Sequence, residues 1–476
     1  MERHITWRYQ LCADPTLTCA SAATSIAALK PKSWMRMNTP SNLYSSDFVA
    51  EPYWWGAFRP SPMEGTEPAR RHDVAVVGGG YAGLAVALEA ARHGLSVIVF
   101  EAGLFGEGAS TRSGGALSSG LSIGKSLTGK ALDYPPDVVS MVVGWARDSF
   151  AYLEQFIQDQ HIDCNFEKRG RFLGACAARH YSWLEARFEK LQRSGVKDCR
   201  LIGRDEQRQE IGSDYYHGGL VFDSAAKLHP ALLYQGYLRA CQAQPGITLV
   251  DRTRVLALAR DGAGWALRTT RGVFHVKQTA LCTNGYTDGL LPKLHHRLVP
   301  VASHVIVTDE ISPELARQIS PHGRTFSETR RIMHYFRLTP DGRRVLFGGR
   351  SRFTETPFEV NARLLHAQLV KRFPELESVK VARAWQGNVA FSGDALPHAG
   401  EFDGVHYVAA CCGGGITVMP YLGTQVGRKI AGVLRGASDF DRTVLPPIPF
   451  YRGKPWFLPM VGTAFRIADF VDEQLL

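Results

Sequence analysis

A glycine turn set between a short apolar run and a helical one constrains this chain more than any other feature. Asp73–Val77 (DVAVV) is β-branched and apolar, Gly78-Gly79-Gly80-Tyr81-Ala82-Gly83 follows, Leu84–His93 has helical periodicity, and Ser96–Phe100 (SVIVF) is a second strand. This order predicts a βαβ unit that binds a dinucleotide. Gly78 permits the tight turn, Gly80 lets backbone approach a pyrophosphate, and Gly83 lets helix and strand pack closely. Tyr81 and Ala82 lie where the helix N-terminus faces the anion. Eighteen residues after Gly83 stands Glu101, followed by Ala102. A carboxylate there accepts hydrogen bonds from ribose hydroxyls and repels a phosphorylated ribose, which disfavours NADP.

Composition narrows the partners. At 476 residues the chain exceeds what a single core commonly serves, so two domains are expected. The formal charge is +10, but lysines and arginines are scattered, with pairs only, such as Arg70-Arg71, Arg330-Arg331 and Arg343-Arg344. Without a basic stripe or a reading motif, no nucleic-acid partner is expected. The nine cysteines are odd in number and show neither CxxC nor Cys/His metal spacing, which points to a reducing cytoplasm and no metal. Val405–Gly427 carries no charge and is long enough to span a bilayer, yet it contains Gly413-Gly414-Gly415 and Pro420. We read it as buried loop and helix, with no integral membrane span and Pro420 near the helix's first turn, where proline is tolerated. Residues 1–42 lack the later periodicity and read as a disordered or over-extended arm.

Helices are expected over Pro135–Gln160, Pro230–Ala243, Asn361–Arg372 and Thr417–Leu434. Strands are expected at Ile247–Val250, Val255–Ala259, Gln278–Cys282 and Val405–Ala410, with a hairpin across Trp265–Val276. From Arg297 to Phe373 the pattern becomes antiparallel strands. The expected fold class is α/β: a Rossmann-like cofactor domain interleaved with an antiparallel-sheet α+β substrate domain. The cofactor domain would take residues 43–165, 220–295 and 380–437, the substrate domain 166–219 and 296–379, and a C-terminal tail 438–476. Trp456–Asp472 is expected to pack on the body.

The loop Glu107–Ala116 separates FAD from NAD, because an NAD-only protein has no need of it. Ala109 and the hydroxyls of Ser110, Thr111 and Ser113, with Arg112, suit phosphate binding or backbone placement; Gly114 and Gly115 let main chain lie against a flat ring, ahead of Ala116. Far along the chain, Gly413, Gly414, Gly415, Ile416 and Thr417 open a helix whose free N–H groups can face a flavin's pyrimidine edge.

In this order the strand, glycine turn, Glu101 and GASTRSGG resemble the FAD-binding start of D-amino-acid oxidase-like flavoproteins, which include glycine, sarcosine and gamma-glutamylputrescine oxidases. The likeness continues through Tyr335–Gly342, Trp385-Gln386-Gly387, Asp394–Gly400 and Gly413–Gly415, from about Leu43 onward. The tail from Leu445-Pro446-Pro447 to Lys454-Pro455-Trp456 resembles the gamma-glutamylputrescine oxidase branch. The resemblance implies FAD and an amine substrate: hydride passes from the amine-bearing carbon to the flavin, the imine hydrolyses, and O2 or another acceptor reoxidises the cofactor. It also implies that Val255 offers backbone to the adenine, and that Trp385, Asp394, Pro397 and His398 wall the flavin structurally.

Substrate-side candidates are His334, Tyr335 and Arg337, although strand alternation puts His334 on the face opposite the other two. The resemblance places His334 where sarcosine oxidase-like members attach flavin to cysteine, so noncovalent FAD is expected. It places Thr417 where they carry a lysine. Two other readings stay open: an NAD(P)H-dependent flavin hydroxylase and a noncatalytic FAD-binding subunit.

Overall fold

The computed structural model describes residues 43–64, 67–118, 136–193, 196–350, 352–434 and 444–474. The expected N-terminal arm, 1–42, lies outside the described residues. The glycine turn sits at the end of the strand Arg71–Val77, which pairs in parallel with Val97–Phe100 on one side and the second half of Gly272–Leu281 on the other. Ile247–Val250 and Val405–Ala409 extend the parallel set outward, and the hairpin Val255–Asp261 with Gly264–Thr269 closes one edge of an eight-stranded sheet. The strands read as continuous apolar runs because both faces are covered: Val74, Ala75, Val76, Val97, Ile98 and Val99 are fully buried.

The helix Tyr81–Arg92 lies on this sheet, with every residue from Tyr81 to Ala91 buried. The helix Gly415–Ile430 packs against it through glycines. A Cβ on Gly423 would stand 2.4 Å from the Ala82 carbonyl oxygen, and one on Gly427 would stand 2.9 Å from that of Val86. Successive contacts advance in the same direction along both helices, so the two run parallel.

The second sheet has nine strands. In spatial order they are Tyr44–Val49, Val381–Phe391, Val299–Thr308, Val345–Gly349, His334–Leu338, Thr325–Glu328, Arg171–Gly174, Gly219–Phe222 and Cys199–Ile202. Two of these strands, at 44–49 and 381–391, fall in segments assigned from the sequence to the cofactor domain, and the strand 219–222 straddles the assigned boundary. An apolar alternation announces a strand but not the sheet that receives it. The pairing of Val381–Phe391 with Val299–Thr308 runs through ten register partners, and it decides the matter. Tyr44–Leu476 forms one compact unit.

The C-terminal helix Leu458–Gln474 packs on the body, as expected, through charge. Asp469 and Asp472 are buried, and they meet Arg330, Arg331 and His180. Among the described residues no helix is long and apolar enough to cross a membrane.

Candidate active site

The parallel strands end together, and each end leads into a candidate segment: Val77 into Gly78, Phe100 into Glu101, and Ala409 into the run toward Gly413. Crevices at the carboxyl ends of such strands are where α/β sheets bind ligands. The ends are laced by backbone. Gly78 N–H donates to Phe100 O (2.8 Å), Cys282 N–H to Val77 O (2.8 Å) and Glu101 N–H to Val250 O (2.9 Å).

Two helix N-termini open onto this crevice, and neither has a side-chain cap: Gly80 precedes the Tyr81 helix and Gly414 the Gly415 helix. Since Gly423 meets Ala82, the second helix begins seven residues further out along the shared direction, about 10 Å at 1.5 Å per residue. Positive dipole ends staggered by this amount suit a ligand with an anion at one end and an electron-accepting ring further along. Pro420 is the sixth residue of its helix rather than part of the first turn. Its missing N–H leaves the Ile416 carbonyl without the usual helical donor.

The turn itself is tightly constrained. Gly78 has φ +104°, and a Cβ on Gly83 would fall 1.9 Å from the Gly78 carbonyl oxygen. Phe105 presses against Gly79, and Tyr234 Oη donates to Gly79 O (2.6 Å). Glu101 grips the same turn, accepting from Gly79 N–H (2.8 Å) and Gly103 N–H (3.1 Å). Ser110 Oγ accepts from Tyr81 N–H (3.1 Å), where an anion oxygen at the helix terminus would also bond. Tyr81 and Ala82 are buried, Tyr81 donating to Pro230 O (2.7 Å), so their side chains serve packing.

Loop Ala109–Ala116 divides into anchors and free groups. Thr111 is fully buried and spent on the fold: its hydroxyl donates to Gly106 O and accepts from Trp55 Nε1. Arg112 donates to Glu107 O and Gln386 O, lies over the Trp55 ring, and its own carbonyl accepts from Trp385 Nε1. These two hold the loop in place rather than reaching toward a phosphate. Ser113 differs, because its Oγ is buried without a hydrogen-bond partner while its carbonyl accepts from Trp54 Nε1 (2.7 Å). A buried hydroxyl in that state fits a polar cofactor passing alongside. Gly114 and Gly115 are the close-approach points: a Cβ on Gly114 would meet the Tyr335 ring at 2.7 Å, and one on Gly115 the Leu228 carbonyl at 2.3 Å. Ala102 and Ala116 are exposed, and Val255 starts its strand with its side chain in the core.

The strand His334–Leu338 separates its three candidates as alternation requires. Tyr335 and Arg337 face Gly114 and Gly115. Tyr335 Oη meets Ser303 Oγ at 3.2 Å, and burial raises its pKa. Arg337 spends its donors on backbone, reaching Leu228 O (2.9 Å), Gly115 O (3.1 Å) and Leu338 O (3.0 Å), and burial lowers its pKa to about 10. It staples the Gly115 turn through Nε and Nη1, with its guanidinium 5.7 Å from the Trp54 ring. His334 lies on the other face, against Glu328 (3.1 Å) and stacked on Phe347, and burial pushes its pKa down to about 4. It belongs to a buried charge cluster with Arg372.

Sequence reasoning missed Arg350, just past the strand Val345–Gly349. Its guanidinium lies 4.5 Å from the Phe391 ring with its charge near Tyr335, Cys411 and Cys412, and no carboxylate pairs with it among the described residues. It missed Ser303, Tyr234 and the doublet Trp54-Trp55 as well. Two adjacent tryptophans ahead of the glycine turn were the available signal. Their indole N–H groups fix the loop that the cofactor-binding pattern needs fixed.

Comparison with known proteins agrees with this geometry. Residues 73–428 match the family model for FAD-dependent oxidoreductases, DAO. Gamma-glutamylputrescine oxidoreductase of Escherichia coli K12 is 32% identical over 399 residues, covering 83% of this chain and 91% of that protein. Glycine oxidase of Geobacillus kaustophilus is 25% identical over 382 residues, 75% of this chain and 92% of that one. The crystal structure of Geobacillus kaustophilus glycine oxidase superposes with a TM-score of 0.66 at 21% identity, over 79% of this chain and 99% of that one. From these matches and a crevice built for a dinucleotide, the chain belongs to the DAO family of FAD-dependent oxidoreductases.

Proposed function

We propose that this enzyme oxidises an amine, in the class of amino acids, N-substituted amino acids or glutamylated polyamines. The observation that carries the reading is Arg350, an arginine without a carboxylate partner beside Tyr335, near the glycines that open the Gly415 helix. Such a group is suited to an anionic substrate end, since a guanidinium meets a carboxylate through a two-pronged fork. When bound, FAD supplies a hydride acceptor for the amine-bearing carbon, and water then hydrolyses the imine; O2 or another acceptor restores the cofactor.

The chain's own part is positioning. The Tyr81 helix terminus with Ser110 takes the pyrophosphate, Glu101 the ribose, and Ser113 with Gly114 the approach to the ring. The N–H groups of Gly415, Ile416 and Thr417 oppose negative charge on the pyrimidine edge. Tyr335, kept protonated by burial, orients the substrate with Ser303. No dedicated base is required, because only the neutral amine reacts. FAD binds noncovalently in this reading, which is supported by His334 facing away from Gly114. The seven described cysteines, all free and buried, support a reducing, cytoplasmic setting.

Anaerobic titration of the FAD-loaded protein with amino acids, N-methyl amino acids, polyamines and glutamylated polyamines tests the proposal. Bleaching by at least one class is expected. Bleaching by NAD(P)H alone would replace it with a hydroxylase. Arg350→Met should raise KM for the active substrate by about 10- to 100-fold, the loss of a charge-assisted hydrogen bond.

A further inference from the structure

We propose that the outward face of the helix Leu458–Gln474, with the segment leading into it, is a docking surface for an anionic lipid bilayer. The proposal stands apart from the amine reading. A surface helix ordinarily buries its apolar stripe and turns its charges to water. This one does the reverse. Its three acids face inward: Asp469 and Asp472 are 0% and 1% exposed, and Glu473 meets Arg330 (2.8 Å) and Lys371 (2.7 Å). Met460 and Ile467 face outward, 59% and 60% exposed, and Trp456, two residues ahead of the helix, is 63% exposed. Met460, Thr463 and Ile467 recur at three- and four-residue spacing and form one stripe, with exposed Ala464 beside it.

Buried ion pairs fix which face is outward. Asp469 accepts from the N–H groups of Arg331 and Ile332 (3.0 Å each), and Asp472 meets Arg331 (2.6 Å) and His180 (3.0 Å). Rolling the stripe inward would break these pairs, so the fold itself holds the apolar side chains in solvent.

Charge selects the occupant. Arg452 and Lys454 precede Trp456, Arg466 lies along the stripe with Nη2 donating to Thr463 Oγ1 (3.1 Å), and Arg352 is close enough to Arg466 for their charges to interact. All four cations are exposed, and none pairs with a carboxylate among the described residues. With the acids of the helix turned inward, its outer face is apolar and cationic. Such a face matches an acyl boundary beneath anionic headgroups, and each basic group adds attraction. The net charge of +10 draws the whole chain toward such a surface. Among the described residues no helix is long and apolar enough to cross a membrane, so the contact is peripheral.

A second copy fits less well. Symmetric pairing sets the patch against itself, cation near cation. A helix of 17 residues offering a strip about 10 Å wide covers about 250 Å2, against about 800 Å2 per partner in a standard interface.

Co-sedimentation of the full-length, FAD-loaded protein with large vesicles tests this, comparing phosphatidylcholine alone with phosphatidylcholine carrying about 30% phosphatidylglycerol. Binding should be about tenfold or more tighter on the anionic vesicles, and should fall away at about 0.5 M salt, where screening acts within a few ångströms. Ile467→Asp, and separately Arg352→Gln combined with Arg466→Gln, should each weaken that binding by about tenfold while bound FAD and circular dichroism stay unchanged. Val273→Ser, at an exposed apolar position on the strand Gly272–Leu281, should bind as the parent does.

Absence of binding to anionic vesicles by the parent protein overturns the proposal. So does equal binding to both compositions, binding that survives Ile467→Asp or the paired arginine substitutions, or an equal loss in Val273→Ser. Light scattering reads the other occupant: a dimer that Ile467→Asp dissociates, without vesicle binding, overturns the proposal and assigns the face to a second copy. Flavin bleaching by amines is measured without vesicles, so failure of either reading leaves the other standing.

Discussion

Gly83→Ala is the sharpest perturbation of the cofactor crevice. The added methyl would stand 1.9 Å from the Gly78 carbonyl oxygen and 3.1 Å from its carbon, with Val76 at 3.2 Å. An ordinary carbon–oxygen contact is about 3.2 Å, so helix and turn must separate by more than about 1 Å, and the principal contact is backbone that no rotamer change can clear. Overpacking a core costs roughly 1–3 kcal/mol, and this contact belongs at the upper end. The same movement drags the Tyr81 helix terminus from Gly79 and Glu101. A misplacement near 1 Å is capable of costing about a hundredfold in a site that works by position.

Thermal unfolding of the apoprotein should show the lost stability, and fluorescence titration should show FAD affinity lowered by about tenfold or more. Gly144→Ala is the control, because nothing lies within 4 Å of its Cβ on the helix Pro136–Asp159. It should raise stability by about 0.5–1 kcal/mol. A Gly83→Ala protein with parental melting temperature and FAD affinity within twofold would refute the claim that this turn is packed to contact.

Arg337→Met removes the staple on Leu228 O and Gly115 O; exposing one buried acceptor to no partner should cost about 1–3 kcal/mol, read by urea denaturation. Asp469→Asn weakens the lock on the C-terminal helix, where the carboxylate accepts from the N–H groups of Arg331 and Ile332 (3.0 Å each) and faces both arginines. Breaking one partner of such buried pairs should cost about 3–5 kcal/mol and speed proteolysis after residue 444.

For pH, His180, His229, His304 and His334 all have pKa values lowered to about 4, in each case chiefly by burial. The unfolded chain then binds more protons than the fold between about pH 4 and 6.5, so stability is complete above that window and falls as pH drops through it. Chemical denaturation at pH 7 and pH 5 should show the loss, and His304→Phe should reduce the slope. An unchanged midpoint between the two would refute it.

The cofactor half of this protein was legible in the chain because its constraints are local. A strand, a turn that excludes Cβ atoms and a helix are contiguous from Asp73 to Arg92, and Glu101 follows at the end of the next strand, so spacing and residue type carry the reading. Gly413–Gly415 were legible for the same reason, as a helix start without a cap. What contiguous sequence cannot show is which groups are already spent. Thr111, Arg112 and Arg337 have the chemistry of ligand-binding residues, and the tertiary structure uses them against Gly106, Gln386, Leu228 and Gly115.

Conversely, Arg350 and Ser303 look unremarkable in sequence. They acquire meaning only when strands separated by tens of residues are set in register. Alternation announced that His334 and Tyr335 point opposite ways, but not which of them faces Gly114. That depended on which side of the nine-stranded sheet the loop packs, a choice made by long-range burial and by the indoles of Trp54 and Trp385. The glycine turn and its strand order were thus determined by local sterics. Which free polar groups line the crevice was decided by the fold, because hydrogen-bond partners are assigned only when distant segments meet.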